Sequence, residues 1–346
     1  MVGITTYTRL IQIGILTFLG VSLILFAGLR SDIDPDYWNY VLAFNVVPDI
    51  SRWLNGDFVY SLSYVWMEPG YLAFTAFVKL FTDDTVILFL SVAALSVGLA
   101  CYNYYKISVF PIMSTLLFFS HTYLYRDMIQ IRAAVACAIG LFVLRSLSER
   151  KYVTAAAFAA LAASFHLGAI IYFAVFPIFL LYASRRIFTW IVLLGFAVGA
   201  AGAGGMILSS FAGAGLVGAK IAHYEGSSYA NSIAILDITN LKNLFLCLGI
   251  FVFWNRFDGR VPHFYAMAIF FACATAWRIG FAEFGIVAAR IATFFSISEV
   301  LLIPAFILFF KPRFAIAIVI VAYAFLTMYQ NLSVKGILDA YEVATT

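Results

Sequence analysis

Charge is what this sequence has least of. Asp, Glu, Lys and Arg make up 11% of its 346 residues, whereas a soluble domain carries about a quarter; the deficit excludes a globule that lives in water. No charged, Pro-rich or Ser-rich stretch is long enough to link two domains, so residues 1–346 read as one membrane domain. The four cysteines, Cys101, Cys137, Cys247 and Cys273, all fall in apolar runs and form no CxxC pair. That argues against a disulfide framework or a zinc site. GxSxG, HExxH and Walker patterns are absent too, which removes the enzyme classes they mark. The first apolar segment, 11–27, is followed by Leu29-Arg30-Ser31 and lacks a small-x-small cleavage site. It is expected to stay in place as a signal anchor.

What the sequence has is apolar length. Hydrophobic residues make up 64% of the chain, in recurring runs of the ~17–25 residues that span a ~30 Å hydrocarbon core. Candidate spans are 11–27, 85–105, 109–125, 128–147, 152–183, 187–211, 241–254, 263–281, 291–310 and 314–331. The run 152–183 would be about 48 Å long as one helix, so it is split into two short helices that turn near His166. The stretch 69–81, behind Glu68-Pro69-Gly70, suits a re-entrant or interfacial helix. With the N-terminus inside, eleven Lys/Arg face the cytoplasm (Arg9, Lys106, Arg145, Arg150, Lys151, Arg185, Arg186, Arg256, Arg260, Lys311 and Arg313) against Glu149 and Asp258 alone. The other ten share the outer side with fifteen carboxylates, an asymmetry that obeys the positive-inside rule. The sequence therefore predicts an all-α polytopic membrane protein with about eleven transmembrane helices, N-in and C-out. Its large outer loops are 29–84 and 212–240, the second with Lys220, His223, Glu225 and Asp237. A chain that places its polar sequence on one face is expected to work there.

Arginine in the middle of a membrane helix costs about 2.5–3.5 kcal/mol on insertion scales, so it usually faces a cavity or a partner. Arg126, Arg132, Arg278, Arg290 and His166 are predicted at similar depth on the outer side, although the arginines alone span more than 160 residues of sequence. Each could snorkel, or pair with Asp127 or Glu283. Snorkelling does not call for Arg in place of Lys, whereas the planar fork of Arg binds phosphate bidentately. Together they predict a polyanion site at the outer boundary, of the kind that would hold a lipid-linked pyrophosphate. Asp32-x-Asp34-x-Asp36 reads either as oxygen ligands for Mg²⁺ or Mn²⁺ or as a solvated loop in which Asp36 alone matters. Because the arginines already supply positive charge, no metal site is assigned. Residues 199–205 (GAAGAGG) look like a phosphate loop but lie in an apolar helix, where small residues allow close packing. Asn331-Leu332-Ser333 matches a glycosylation sequon of a kind common by chance.

Several short stretches then carry a resemblance. Arg30…Asp36-Tyr37…Tyr40, Glu68-Pro69-Gly70-Tyr71, Ile131-Arg132-Ala133-Ala134, Ser148-Glu149-Arg150-Lys151 and Phe165-His166 resemble, in order and spacing over about 30–180, the EpsG family of exopolysaccharide polymerases. That family belongs with the Wzy-type O-antigen and capsule polymerases. Arg290-Ile291-Ala292-Thr293-Phe294-Phe295 resembles its late Arg helix more loosely. Arg126-Asp127 departs from the small polar residues often seen before the Ile-Arg pair, which leaves Arg126 either in the site or balancing Asp127.

The resemblance implies a GT-C-like glycosyltransferase that moves a growing glycan from one undecaprenyl diphosphate to the non-reducing end of a repeat unit on another. It implies a bacterial inner membrane, no cofactor and no nucleotide sugar, and a chain-length regulator (polysaccharide co-polymerase) as partner beside membrane lipid; no nucleic-acid partner is expected. Expected diphosphate and glycan ligands are Arg132, Arg290 and His166, then Arg278, with Arg126 and Arg30 behind them. Asp36, Glu68 or His166 would take the acceptor's proton. Tyr37, Tyr40, Trp38 and Trp66 could stack on sugars, although interfaces enrich aromatics anyway. An O-antigen ligase would use the same donor, and a lipid-linked glycan transporter (flippase) would also need a cationic cavity, together with internal repeats that this sequence does not show.

Overall fold

The computed structural model describes residues 2–62, 65–181, 183–210, 232–339 and 341–344. Lys220, His223 and Glu225 of the second outer loop lie outside the described residues. The principal helices are α1 (Val2–Gly28), α2 (Tyr37–Val46), α3 (Pro69–Val78), α4 (Thr85–Ile107), α5 (Pro111–Leu117) and α6 (Ile131–Ser148). They continue with α7 (Tyr152–Phe165), α8 (Arg185–Ala200), α9 (Ile238–Val252), α10 (Phe264–Gly280), α11 (Gly285–Ser296), α12 (Glu299–Ala305) and α13 (Arg313–Tyr329). α1 from Arg9 onward, α4, α6 and α13 with the turn after it (Arg313–Val334) are each long and apolar enough to cross a membrane. α11 and the segment Glu299–Leu308 form a pair bent by 55°, a broken span or a re-entrant loop, and α3, α7, α9 and α10 are shorter apolar helices. The chain is a multi-pass membrane protein.

Lipid as solvent explains where its apolar surface goes. α6 and α10 are buried along most of their length, whereas α1 and α13 expose Phe18 (70%) and Leu326 (66%), which costs nothing in hydrocarbon.

Four spans expected from the sequence are interrupted. α5 passes into a π turn, Phe118–Tyr123. α7 ends at Phe165, His166 is extended and a 3-10 stretch, Leu167–Val175, follows, so the break falls where His166 predicted one. The span expected over 187–211 stops at Ala200 and restarts at Gly204–Ser209, because Gly202 takes a left-handed φ of +61°. The small residues before it serve packing. A Cβ on Gly199 would lie 2.4 Å from the Ile279 carbonyl oxygen of α10, so only glycine lets the two backbones meet. The span expected over 291–310 breaks between Ser296 and Glu299.

The segment after α1 meets the C-terminal strand. Arg30–Ser31 (β1) pairs antiparallel with Glu342–Val343 (β2), and Tyr341 stacks on Phe26 with ring centroids 4.4 Å apart. The C-terminal tail therefore lies on the same side of the membrane as the loop after α1, with an even number of crossings between them. At the far end of α6, Ser148 Oγ lies 3.0 Å from His263 Nδ1, which joins the α6–α7 turn to the start of α10.

Candidate functional site: a cationic cavity and an adjoining pocket

The π turn after α5 gives the site its first wall. Its wider register continues through Met128 N–H to the Tyr123 carbonyl (3.2 Å) and Gln130 N–H to that of Tyr125 (3.2 Å), both i→i+5 bonds that take an extra residue per turn. His121, Thr122, Tyr125 and Arg126 all line one cavity of about 600 Å³ as a result. A second π turn, Gln330–Val334, closes α13, and its Asn331 donates from Nδ2 to the Ser120 carbonyl at 3.2 Å. The remaining wall comes from Lys242 of α9, Arg278 of α10, Arg290 of α11, Glu299 of α12 and Lys335.

These groups are unevenly compensated. Arg126 donates to the Gln130 side chain and to the Arg290 carbonyl (3.4 Å). Arg278 pairs with Asp237 at 2.9 Å. Lys242 pairs with Glu299, which also accepts from Tyr323 Oη (3.3 Å) and lies 3.7 Å from His121 Nε2. Among the described residues, five cations line the cavity, and the carboxylates facing them are Glu299, Asp237 and Asp36. The balance stays positive, as an anion site requires.

A second pocket of about 160 Å³ is lined by Asp36, Asn39, Tyr40, Trp66 and Arg132, with Val65 and Met67. Asp36 stands at the N-cap of α2, but its side chain makes no capping bond. The loop before it is braced instead. Asp36 N–H donates to Asp34 Oδ1 at 3.0 Å, and Asp34 pairs with Arg30 at 3.2 Å, both side chains fully buried. Arg30 also donates to the Ala27 carbonyl and lies 4.5 Å over the Phe89 ring. Breaking such a buried pair costs about 3–5 kcal/mol. Burial pushes the Asp34 carboxyl up to about 6 even against Arg30. Burial likewise raises Asp36, opposed first by Arg290 and then by Arg132. Asp36 thus feels one arginine that lines each cavity, Arg290 of the large one and Arg132 of the small one. Arg132 donates to the Glu68 carboxylate and to the Trp66 carbonyl (3.1 Å), 5.8 Å over the Tyr40 ring. The other Glu68 oxygen accepts from Leu167 N–H at 3.1 Å, tying the start of α3 to the break after α7.

The structure sorts the residues picked from sequence. Arg126, Arg278 and Arg290 come together in the large cavity, and Asp36, Tyr40, Trp66 and Arg132 in the small one. Glu68 lines neither; it braces Arg132. His166 lines neither, its Nδ1 accepting from Gly168 N–H at 3.1 Å and its ring lying 5.3 Å from Phe294. Arg30 is turned into the buried pair with Asp34, and Tyr37 stacks on Phe89 at 5.1 Å, both away from the cavities. The two roles open to Arg126 are separated. Its guanidinium bonds Gln130 and the Arg290 carbonyl, while Asp127 accepts from Ser96 Oγ at 2.5 Å. Among the described residues no three His, Cys, Asp or Glu side chains gather as metal ligands.

His121, Lys242, Glu299 and Lys335 were missed. A signal existed for two of them: Lys242 and Glu299 carry opposite charges inside apolar runs, and an ionisable residue at membrane depth marks a functional site by default.

The model of the EpsG family matches residues 14–342. The amylovoran biosynthesis protein AmsC of Erwinia amylovora is 25% identical over 286 residues, covering 81% of this chain and 75% of that protein. No solved structure matches the chain. With the match running from α1 into the C-terminal strand, this multi-pass membrane protein belongs to the EpsG family.

Proposed function

We propose that the chain is a GT-C-like glycosyltransferase that polymerises lipid-diphosphate-linked repeat units into a polysaccharide. In this reading it works on the outer face of a bacterial inner membrane, with eleven crossings, one catalytic domain and a chain-length regulator beside it. The carrying observation is the positive cavity, built by Arg126, Lys242, Arg278, Arg290 and Lys335 from separate elements. AmsC, named for amylovoran biosynthesis, supports an exopolysaccharide product.

The donor's diphosphate occupies the large cavity against Arg126 and Arg290. The acceptor sugar occupies the small pocket against Tyr40, Trp66 and Asn39. Between them Asp36 takes the proton of the acceptor hydroxyl as its oxygen bonds to C1. The bond from C1 to the diphosphate breaks through an oxocarbenium-like state, and fixed cations stabilise the charge growing on the leaving group more than the ground state. Arg132, held by Glu68 and Trp66, shapes the acceptor pocket.

The test uses purified protein and synthetic lipid-linked repeats. Arg126→Gln and Arg290→Gln are each expected to slow polymer-ladder formation roughly a hundred- to a thousandfold and to weaken binding of a polyprenyl diphosphate. Wild-type ladders should survive EDTA, because the arginines carry the charge. Unimpaired ladders from both variants would sink the donor site, and repeats carried across vesicles without polymer would favour a transporter.

A further inference from the structure

We propose that His121, oriented by Glu299, is a second catalytic residue, the proton donor to the departing diphosphate. The inference rests on the reading of the large cavity as the lipid-diphosphate site.

Glu299 is 2% exposed and opens α12 at the break in the α11–α12 span. A carboxylate at that depth must be paired. Three groups from three other elements meet it: Lys242 of α9, Tyr323 of α13 and His121 of the π turn. Lys242 alone would neutralise Glu299, so charge balance does not call for the imidazole. Nor is His121 sealed inside. Its side chain is 31% exposed and lines the cavity. Nε2 lies 3.7 Å from Glu299 Oε2, and among the described residues no hydrogen bond holds Nδ1.

The local backbone carries the argument further. The π turn Phe118–Tyr123 passes into a short α turn, Leu124–Arg126, and His121 of the first and Arg126 of the second line the same cavity. An anion held by Arg126 and Arg290 therefore lies beside the imidazole.

The chemistry calls for such a group. When the bond from C1 to the diphosphate oxygen breaks, its electron pair stays on that oxygen, which then carries a charge the bound diester lacked. Arginine stabilises this charge but cannot give up a proton. An imidazolium can: its Nδ1 proton passes to the phosphate oxygen, while the acceptor's proton passes to Asp36. Water restores both groups before the next turnover. The charged groups facing the ring are Glu299 and the cations Lys242, Lys335 and Arg278. The diphosphate brings the negative charge that outweighs those cations, so the donor forms with its substrate.

The experiment uses the full-length protein in nanodiscs. His121→Gln is expected to lower kcat roughly a hundred- to ten-thousandfold, to leave the Kd for a polyprenyl diphosphate within a few-fold, and to abolish the fall in rate at high pH. Glu299→Gln should move that fall to lower pH, a shift that a purely structural ion pair would not produce. Undiminished turnover in His121→Gln overturns the proposal. Wild-type protein supplies a check that needs no variant to fold: diethyl pyrocarbonate should modify His121, and polyprenyl diphosphate should shield it while His263 on the opposite face reacts as before. A bound diphosphate that fails to shield His121 also overturns it. If the diphosphate does not bind wild-type protein at all, the reading of the cavity fails instead.

Discussion

Asp36 occupies a position where an aspartate usually caps a helix, a bond worth about 1 kcal/mol, yet its carboxylate makes no such bond. The side chain is half-buried beside Arg290 and Arg132 instead, with burial the larger influence and its proton affinity raised. A base works only when ionised, so turnover should rise with pH through a value above the ordinary aspartate range. Asp36→Asn should remove that rise and lower kcat roughly a hundred- to ten-thousandfold. The pH dependence of ladder formation measures both, and an unchanged profile in Asp36→Asn would remove Asp36 as the base. The neighbouring aspartates differ in kind. Asp34 is locked to Arg30 and to the Asp36 backbone, whereas Asp32 is exposed at a positive φ of 41°.

At the scale of elements, three interruptions build the cavity: two π turns and the break between α11 and α12. Each supplies a polar group to the cavity wall, His121, Asn331 and Glu299, where an unbroken apolar helix would offer an apolar face. Deleting Phe119 should return the first π turn to α-helical register and separate His121 from Arg126. Affinity for a polyprenyl diphosphate should then fall roughly ten- to a hundredfold, the worth of one charge-assisted hydrogen bond. Isothermal titration measures this, with Tm and folded yield as controls. Wild-type affinity in the folded deletion variant would mean that the π register does not aim these side chains.

For the whole molecule, the strand pair between Arg30–Ser31 and Glu342–Val343 puts the tail and the loop after α1 on one side, and the charge asymmetry predicts that this side is the outer one. Asn55 and Arg260 are both exposed and should differ in access. On a Cys-free background, Asn55→Cys should react with an impermeant maleimide in cells with a permeabilised outer membrane. Arg260→Cys should react only after lysis. Labelling of the Arg260 position in unlysed cells would invert the topology and place the cavity on the cytoplasmic face.

Apolar length, the bias of Lys and Arg, the short helix after Glu68 and the break at His166 were legible in the sequence, because each follows from counting along the chain. So was the family, through Glu68-Pro69-Gly70, Ile131-Arg132 and their spacing. Which side of each helix faces inward was not legible. Hydrocarbon solvates the outer face of a helix as well as its neighbours do, so no polar stripe marks the inside. The interruptions at Phe118, Gly202 and Ile297 were hidden for a related reason: hydropathy measures length and is blind to hydrogen-bond register. Arg30 and Tyr37 belong to the family-like motif, yet they brace a loop, because their partners Asp34 and Phe89 were visible only in three dimensions. The sequence by itself determined a multi-pass membrane protein with arginines inside or beside its apolar runs. Only the tertiary structure decided that Arg126, Arg278 and Arg290 share one cavity with His121 and Glu299, since that depends on how bent and widened helices rotate their side chains toward a common centre.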